Sequence, residues 1–257
     1  MNSSLPNILV TNDDGIDSPG IRCLAQKLKE LGNVAVVAPD RQQSAVGHSL
    51  TVSNPLRVTN FRNNGEFFGY AVNGTPSDCV KLGVSTLLPR KPDLIVSGIN
   101  HGQNTSVNIL YSGTVAAAAE GMLIDIPSVA FSIDSHSYGT DCSVAADYAL
   151  RITRRLFEID FPKRIFINVN IPALNKVQIK GIRIAEVSGN IWKDKYECRK
   201  DPFGKDYYWF SGDFLEIDKN PGSDFVLLQD GYVTITPVKY DLSDRKFMEE
   251  IKFFEIF

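Results

Sequence analysis

Short apolar runs and amphipathic segments alternate along the first two thirds of the chain. The runs, each the length of a strand, are residues 7–11, 34–38, 94–96, 127–131 and 164–169. Two of them, 34–38 and 94–96, have no polar alternation, which is typical of strands covered on both faces of a parallel sheet. The pattern therefore predicts a largely parallel sheet.

The segments between these runs have helical periodicity. Residues 19–31 place their apolar side chains on one face, and Ser18 and Pro19 are typical of a helix start. Further helices are predicted at residues 75–88, 112–123 and 143–158. Strands joined by helices in this order form right-handed β-α-β units. We therefore expect an α/β fold with a Rossmann-like, doubly wound, mostly parallel sheet.

The composition changes near residue 181. Aromatic and charged residues become frequent, residues 231–237 alternate like a strand, and the tail at 245–257 is apolar. We expect a core at residues 1–180 and an irregular or β-rich C-terminal subdomain or extension at 181–257, packed on the core.

Composition and charge exclude some partners. The 257 residues are 43% hydrophobic and 22% charged, with a formal net charge of -3, which does not favour binding of a nucleic-acid polymer. The N-terminus has no basic and apolar leader pattern, and no apolar run approaches the length that spans a bilayer. These features predict a cytoplasmic protein without a membrane partner.

Two adjacent acids, Asp13 and Asp14, follow the first predicted strand within the stretch Asn12-Asp13-Asp14-Gly15. Neighbouring carboxylates repel each other, and a hard divalent cation relieves that repulsion. A solvated turn is the alternative, because Asp, Asn and Gly are common in turns.

Other oxygen-bearing side chains follow neighbouring strands. Ser44 lies in the loop after the second run, and Asn100 ends the strand that begins at residue 94. The carboxyl ends of parallel strands meet at one edge of the sheet. A set of Asp13, Asp14, Ser44 and Asn100 suits Mg²⁺ or Mn²⁺, which prefer oxygen ligands.

A phosphate site is predicted beside the acids. Ser112, Gly113 and Thr114 open the alanine-rich helix, and a helix N-terminus offers unpaired N–H groups and partial positive charge. Gly102 and Asn104 lie in the preceding loop. A simple helix cap is the alternative.

The histidines and the tyrosine near these loops have more than one possible role. His101 follows Asn100 directly, and we expect it to shape or line the pocket rather than to act as acid or base. His48 and His136 are weaker candidates. Tyr111 is expected to pack under the helix, although it could also stack on a base.

Several separated motifs occur in order along nearly the whole chain. They are residues 8–15, 38–41, 44–45, 48–51, 72–80, 97–100, 111–118 and 231–237. With these motifs the chain resembles the survival protein SurE family of metal-dependent 5′/3′-nucleotidases. Residues 105–110 depart from the more acidic, glycine-containing stretch frequent in that family, which bears on loop shape and substrate fit.

The resemblance implies hydrolysis of nucleoside 5′- and 3′-monophosphates to nucleoside and phosphate, with short polyphosphate as a further candidate substrate. It implies one divalent ion per subunit, Mg²⁺ or Mn²⁺, with Asp13 and Asp14 as both catalytic residues and metal ligands. The implied metal ligands are Asp13, Asp14, Ser44 and Asn100, and the implied phosphate-binding residues are Gly102, Asn104, Ser112, Gly113 and Thr114. A homodimer or homotetramer formed through the C-terminal region is also implied.

Two non-catalytic classes are the alternatives. A receiver-like phospho-signalling domain has paired acids after its first strand, but it needs a third Asp where this chain has residues 97–100, Ser-Gly-Ile-Asn. A nucleotide-binding module without turnover is the other, although neither the Gly-x-Gly-x-x-Gly nor the Gly-x-x-x-x-Gly-Lys-Ser/Thr motif is present.

Overall fold

The computed structural model describes residues 5–255. Two expectations fall partly on the remaining residues: the absence of a leader pattern at residues 1–4 and the end of the apolar tail at 256–257. Those parts lie outside the described residues.

A nine-stranded sheet organises the chain, with strand order β3-β4-β2-β1-β5-β6-β7-β11-β8. Its strands are β1 (Asn7–Thr11), β2 (Asn33–Pro39), β3 (Val58–Asn63), β4 (Glu66–Val72), β5 (Leu94–His101), β6 (Ser128–Ile133), β7 (Ile165–Ile171), β8 (Ile182–Ile184) and β11 (Val233–Lys239). Strands β4, β2, β1, β5, β6 and β7 pair in parallel, while β3 and β11 are antiparallel to β4 and β7. A separate antiparallel hairpin consists of β9 (Ile191–Lys200) and β10 (Asp206–Leu215).

Helices cover both faces of the sheet. They are α1 (Pro19–Leu28), α2 (Pro76–Leu82), α3 (Asn108–Tyr111), α4 (Gly113–Leu123), α5 (Ser143–Leu156), α6 (Asp224–Gln229) and α7 (Arg245–Glu250), with a π turn at Gly83–Leu87 and a 3-10 turn at Lys252–Glu255. Successive side chains of β1 point to opposite faces of the sheet, so the core has two layers. Ile8 and Val10 pack on the side of α1 and α5, and Leu9 packs on the side of α2 and α4.

The α/β expectation is confirmed, and the helix starts agree closely with the sequence patterns. Thr75 and Asp78 form the reciprocal capping box of α2, and α2 passes into the π turn where one longer helix was expected. The sheet also receives β8 and β11 from the C-terminal part of the chain. The division at residue 180 stays a prediction.

Within residues 5–255, no helix combines the length and the apolar character needed to cross a lipid bilayer.

Phe131 tests the central packing, because its side chain on β6 is 0% exposed. Replacing it with alanine leaves a cavity, and we expect Phe131→Ala to lower the free energy of unfolding by about 3–5 kcal/mol in urea titrations. Phe203→Ala is the control, because Phe203 is 88% exposed; its effect should stay within about 0.5 kcal/mol. Equal effects of the two substitutions would contradict the described packing.

Candidate active site

The crevice of the sheet lies between β1 and β5. These strands pair in parallel with Thr11 opposite Ser97, while β2 extends the sheet on the other side of β1. In doubly wound sheets, ligands bind at the carboxyl ends of strands where the order reverses in this way. Asp13 and Asp14 follow β1, and Asn100 lies near the end of β5.

Asp13 is buried against the start of α4. Its side chain accepts a hydrogen bond from the Thr114 hydroxyl, and a Cβ added to Gly113 would lie 2.8 Å from the Cβ of Asp13. Burial raises the pKa of Asp13 to about 6 against the lowering effect of Thr114, and the charge of Asp14 adds to the rise. Glycine at position 113 thus lets the helix start lie directly against the first acid.

Asp14 is buried against two other segments. Its Oδ2 accepts the backbone N–H of His101 at 3.0 Å and lies 3.1 Å from the His101 ring Nδ1. Its Oδ1 accepts the Tyr138 hydroxyl at 3.0 Å. Asp13 and Asp14 are 5% and 7% exposed, so the solvated turn is not what forms here.

Ser44 belongs to a loop that is fastened beside Asp13. The Gln43 N–H donates to the Asp13 carbonyl at 2.7 Å, and the Gln42 side chain donates to Ser44 Oγ at 2.8 Å. Further along, the Gly47 N–H donates to the Tyr111 carbonyl at 3.0 Å. The loop after β2 is therefore tied both to the first acid and to the residue that precedes Ser112.

The four candidate ligands fit a hard divalent cation. Asn100 Nδ2 donates to the Gly102 carbonyl at 2.6 Å, which leaves Asn100 Oδ1 as the available atom of that amide. Asp13 and Asp14 bring two carboxylates to a buried place, where their mutual repulsion favours a neighbouring cation. Within the described residues, no three His, Cys, Asp or Glu side chains gather into a metal-binding group, so neutral oxygens would complete the set.

The predicted phosphate-binding residues divide into two groups. Ser112 Oγ accepts the Val115 N–H at 3.1 Å and so caps α4, which begins at Gly113. The first N–H groups of a helix have no carbonyl partner within the helix, so this end can donate to an anion. Gly113 and Thr114 lie against Asp13, and Ser112 directly precedes them.

Gly102 and Asn104 have other partners. The Gly102 N–H donates to the Ile133 carbonyl at 3.0 Å, and Asn104 Nδ2 donates to Ser132 Oγ at 2.9 Å. Asn104 also exchanges backbone hydrogen bonds with the Asn170 side chain. These contacts show both residues shaping the loop after β5, and their part in phosphate binding stays a prediction.

A buried carboxylate holds the Ser44 loop to α4. Glu120 Oε2 lies 2.9 Å from His48 Nε2, and Glu120 Oε1 accepts Lys81 Nζ at 2.8 Å. Burial opposes ionisation, but His48 and Lys81 outweigh it and lower the pKa of Glu120. The three side chains join the loop, α2 and α4.

Tyr138, in the loop between β6 and α5, is a residue of the site that the sequence did not single out. Tyr138 from this loop donates to Asp14, and the His136 ring atoms would lie 2.7 Å from a Cβ added to Gly102. The only sequence signal was that the loop follows a predicted strand. Tyr111 is 55% exposed, so the expectation that it packs under the helix is wrong.

The fold and the cluster define a class of α/β protein with an acidic, oxygen-rich site where strand ends meet a helix start. A family model described as survival protein SurE matches residues 8–194. The chain therefore belongs to the SurE family.

Individual relatives align with this chain over nearly its full length. The chain is 42% identical to a protein of Christiangramia forsetii named 5′-nucleotidase SurE, over 98% of this chain and 97% of the relative. A protein of Chlorobium chlorochromatii with the same name is 43% identical, over 95% and 89%. The crystal structure of the SurE protein from Aquifex aeolicus superposes with a TM-score of 0.84 at 40% identity, covering 97% of this chain and 100% of that one.

The Glu120 cluster has a predictable pH dependence. The folded protein holds the pKa of Glu120 below its ordinary value of 4.5, so the stabilisation is present above that pH and is lost as the pH falls through the lowered value. We expect Glu120→Gln to lower the free energy of unfolding by about 1–3 kcal/mol at pH 7, and the difference from the unsubstituted protein to shrink below pH 4.5.

Urea titrations at several pH values measure this difference. Glu158→Gln is the matched control, because Glu158 pairs with Arg155 on the surface and should contribute little. A Glu120→Gln difference that is constant from pH 7 down to pH 3 would contradict the ion-pair explanation.

Proposed function

We propose that this protein is a divalent-metal-dependent nucleotidase that hydrolyses nucleoside monophosphates to nucleoside and phosphate. The single observation that carries the proposal is the contact between Asp13 and Thr114. It joins a carboxylate at a strand end to a helix start suited to a phosphate. The relatives named 5′-nucleotidase SurE support the 5′ specificity.

Asp13, Asp14, Ser44 and Asn100 would hold one Mg²⁺ or Mn²⁺ ion per subunit. Their donor atoms are two carboxylates, a hydroxyl and an amide oxygen, the chemistry that these ions prefer. When bound, such an ion supplies Lewis-acid stabilisation of the charge that develops on the phosphoryl oxygens.

The residues at the start of α4 would bind the phosphate. Gly113 offers a backbone N–H group, and the Ser112 hydroxyl keeps its own proton while its oxygen caps the helix. Gly102 and Asn104, in the loop after β5, are proposed as further phosphate-binding residues of this site. Partial positive charge at the helix end favours a dianionic phosphate monoester.

Asp13 and Asp14 are the proposed catalytic residues. Thr114 orients Asp13, and the neighbouring β5 end orients Asp14 through the His101 N–H. With both carboxylates fixed before substrate binds, little reorganisation is required during the reaction. Asp13 contacts the start of α4, and either carboxylate is a candidate base for the attacking water.

The finer specificity belongs to the same proposal. We extend it to 3′-monophosphates and to short polyphosphate, since both present a terminal phosphoryl group to the helix start. Location in the cytoplasm and assembly as a homodimer or homotetramer through the C-terminal region are also proposed. Exposed aromatic side chains on β9 and β10, such as Tyr208 and Trp209, support such an assembly.

Substitution of the acids tests the catalytic assignment. We expect Asp13→Asn and Asp14→Asn each to reduce metal-dependent phosphate release from 5′-AMP by about two to four orders of magnitude, because each removes charge from the ion site. Asp17→Asn is the control, since Asp17 is an exposed carboxylate of the same loop. Normal turnover by Asp14→Asn would refute the assignment.

Metal removal tests the proposed ion and substrate class together. We expect a chelator to abolish phosphate release, and Mg²⁺ or Mn²⁺ to restore it on 5′-AMP, 3′-AMP and short polyphosphate, measured as free phosphate at fixed pH. Full activity in the presence of the chelator would contradict the metal requirement. Tight nucleotide binding without turnover would support a binding module instead.

A further inference from the structure

Both oxygens of Asp14 are held by groups from other segments. The His101 backbone N–H and ring Nδ1 lie 3.0 and 3.1 Å from Oδ2, while the Tyr138 hydroxyl donates to Oδ1 at 3.0 Å. An aspartate side chain can rotate about two bonds, and donors on both oxygens restrict that rotation. Asp14 is therefore oriented by the protein before any ligand binds.

The environment of His101 identifies the proton that it donates. Its Nε2 lies 3.7 Å from the Sγ of Cys142, whose thiol donates to the Thr140 carbonyl at 3.6 Å. Since Asp14 Oδ2 accepts hydrogen bonds, Nδ1 is the ring nitrogen that donates to it. The His101 ring thus lies between Cys142 and Asp14, with its Nδ1 facing the carboxylate.

Tyr138 approaches Asp14 from the solvent side. It lies in the loop between β6 and α5 and is 45% exposed, yet its hydroxyl reaches a carboxylate that is almost entirely buried. Its ring centroid lies 4.8 Å from that of His101, so the two rings support each other. The loop therefore reaches Asp14 and supplies a donor to it.

We propose that His101 and Tyr138 are positioning residues that fix the carboxylate of Asp14 for a divalent cation. The proposal rests on the proposed function. Groups that hydrogen-bond to a metal ligand restrict its orientation, and their loss typically weakens metal binding or activity by about 10- to 100-fold. Neither residue needs to touch the ion or the substrate.

Calorimetric titration with Mn²⁺ tests this role without using activity. Tyr138→Phe keeps the ring and removes only the hydroxyl, and His101→Leu removes the ring donor while the backbone N–H remains. We expect each to weaken Mn²⁺ binding by about 10-fold or more. His101→Asn should restore much of the affinity, because its Nδ2 can occupy the position of the imidazole Nδ1.

In the same variants, Mn²⁺ affinity should change while the KM for 5′-AMP stays nearly constant. At saturating Mn²⁺ we expect KM for 5′-AMP to change less than twofold, since neither side chain is proposed to touch the nucleotide. Tyr196→Phe is the matched control; Tyr196 is an exposed residue of β9 that pairs with the Phe210 ring. It should bind Mn²⁺ as the unsubstituted protein does.

Three results would overturn the proposal. The first is Mn²⁺ affinity within twofold of the unsubstituted protein in both Tyr138→Phe and His101→Leu, with folding confirmed by circular dichroism. The second is a raised KM for 5′-AMP with unchanged Mn²⁺ affinity, which would make Tyr138 a substrate contact. The third is no Mn²⁺ binding by the unsubstituted protein, which would overturn the metal requirement as well. Mn²⁺ binding without 5′-AMP hydrolysis would refute the proposed function alone, and the Mn²⁺ series would still decide the positioning role.

Discussion

Two adjacent carboxylates, both almost fully buried, are the constraint on which the site depends. Burial and the neighbouring charge of Asp14 raise the pKa of Asp13, and both buried carboxylates require hydrogen-bond donors from the surrounding segments. Thr114 supplies one from α4, while His101 and Tyr138 supply theirs from β5 and from the loop after β6. The convergence of these segments on one strand end follows from that electrostatic requirement.

Much of this arrangement could be predicted from local sequence signals. The apolar run before Asp13 indicated a strand, and Ser112 before the alanine-rich segment indicated a helix start; α4 begins at Gly113. The parallel pairing of β1 with β5 then brings Asn100 near the acids, because the carboxyl ends of neighbouring parallel strands share one edge. These predictions succeeded because each depended on a nearby residue pattern and a general rule of sheet topology.

Contacts between distant side chains could not be predicted in that way. Asp14 and Tyr138 are 124 positions apart, and nothing near Tyr138 in the sequence indicates that its hydroxyl reaches a buried carboxylate. Glu120 lies within the expected helix, yet its role depends on His48 and Lys81 from two other elements. Asn104 illustrates the same limit, since its amide donates to Ser132 rather than pointing freely into a phosphate site.

The C-terminal part of the chain also contributes to the geometry of the site. Asp224 on α6 is fully buried and accepts the Ser106 N–H at 3.1 Å, which fastens the loop after β5. From the hairpin, Trp192 Nε1 donates to Asn108 Oδ1 at 2.7 Å, beside the segment that leads into α4. Both contacts reach the connection between Asn100 and Thr114 from outside the parallel core. The position of the start of α4 relative to the acids therefore depends on residues more than seventy positions away in sequence, which local patterns do not encode.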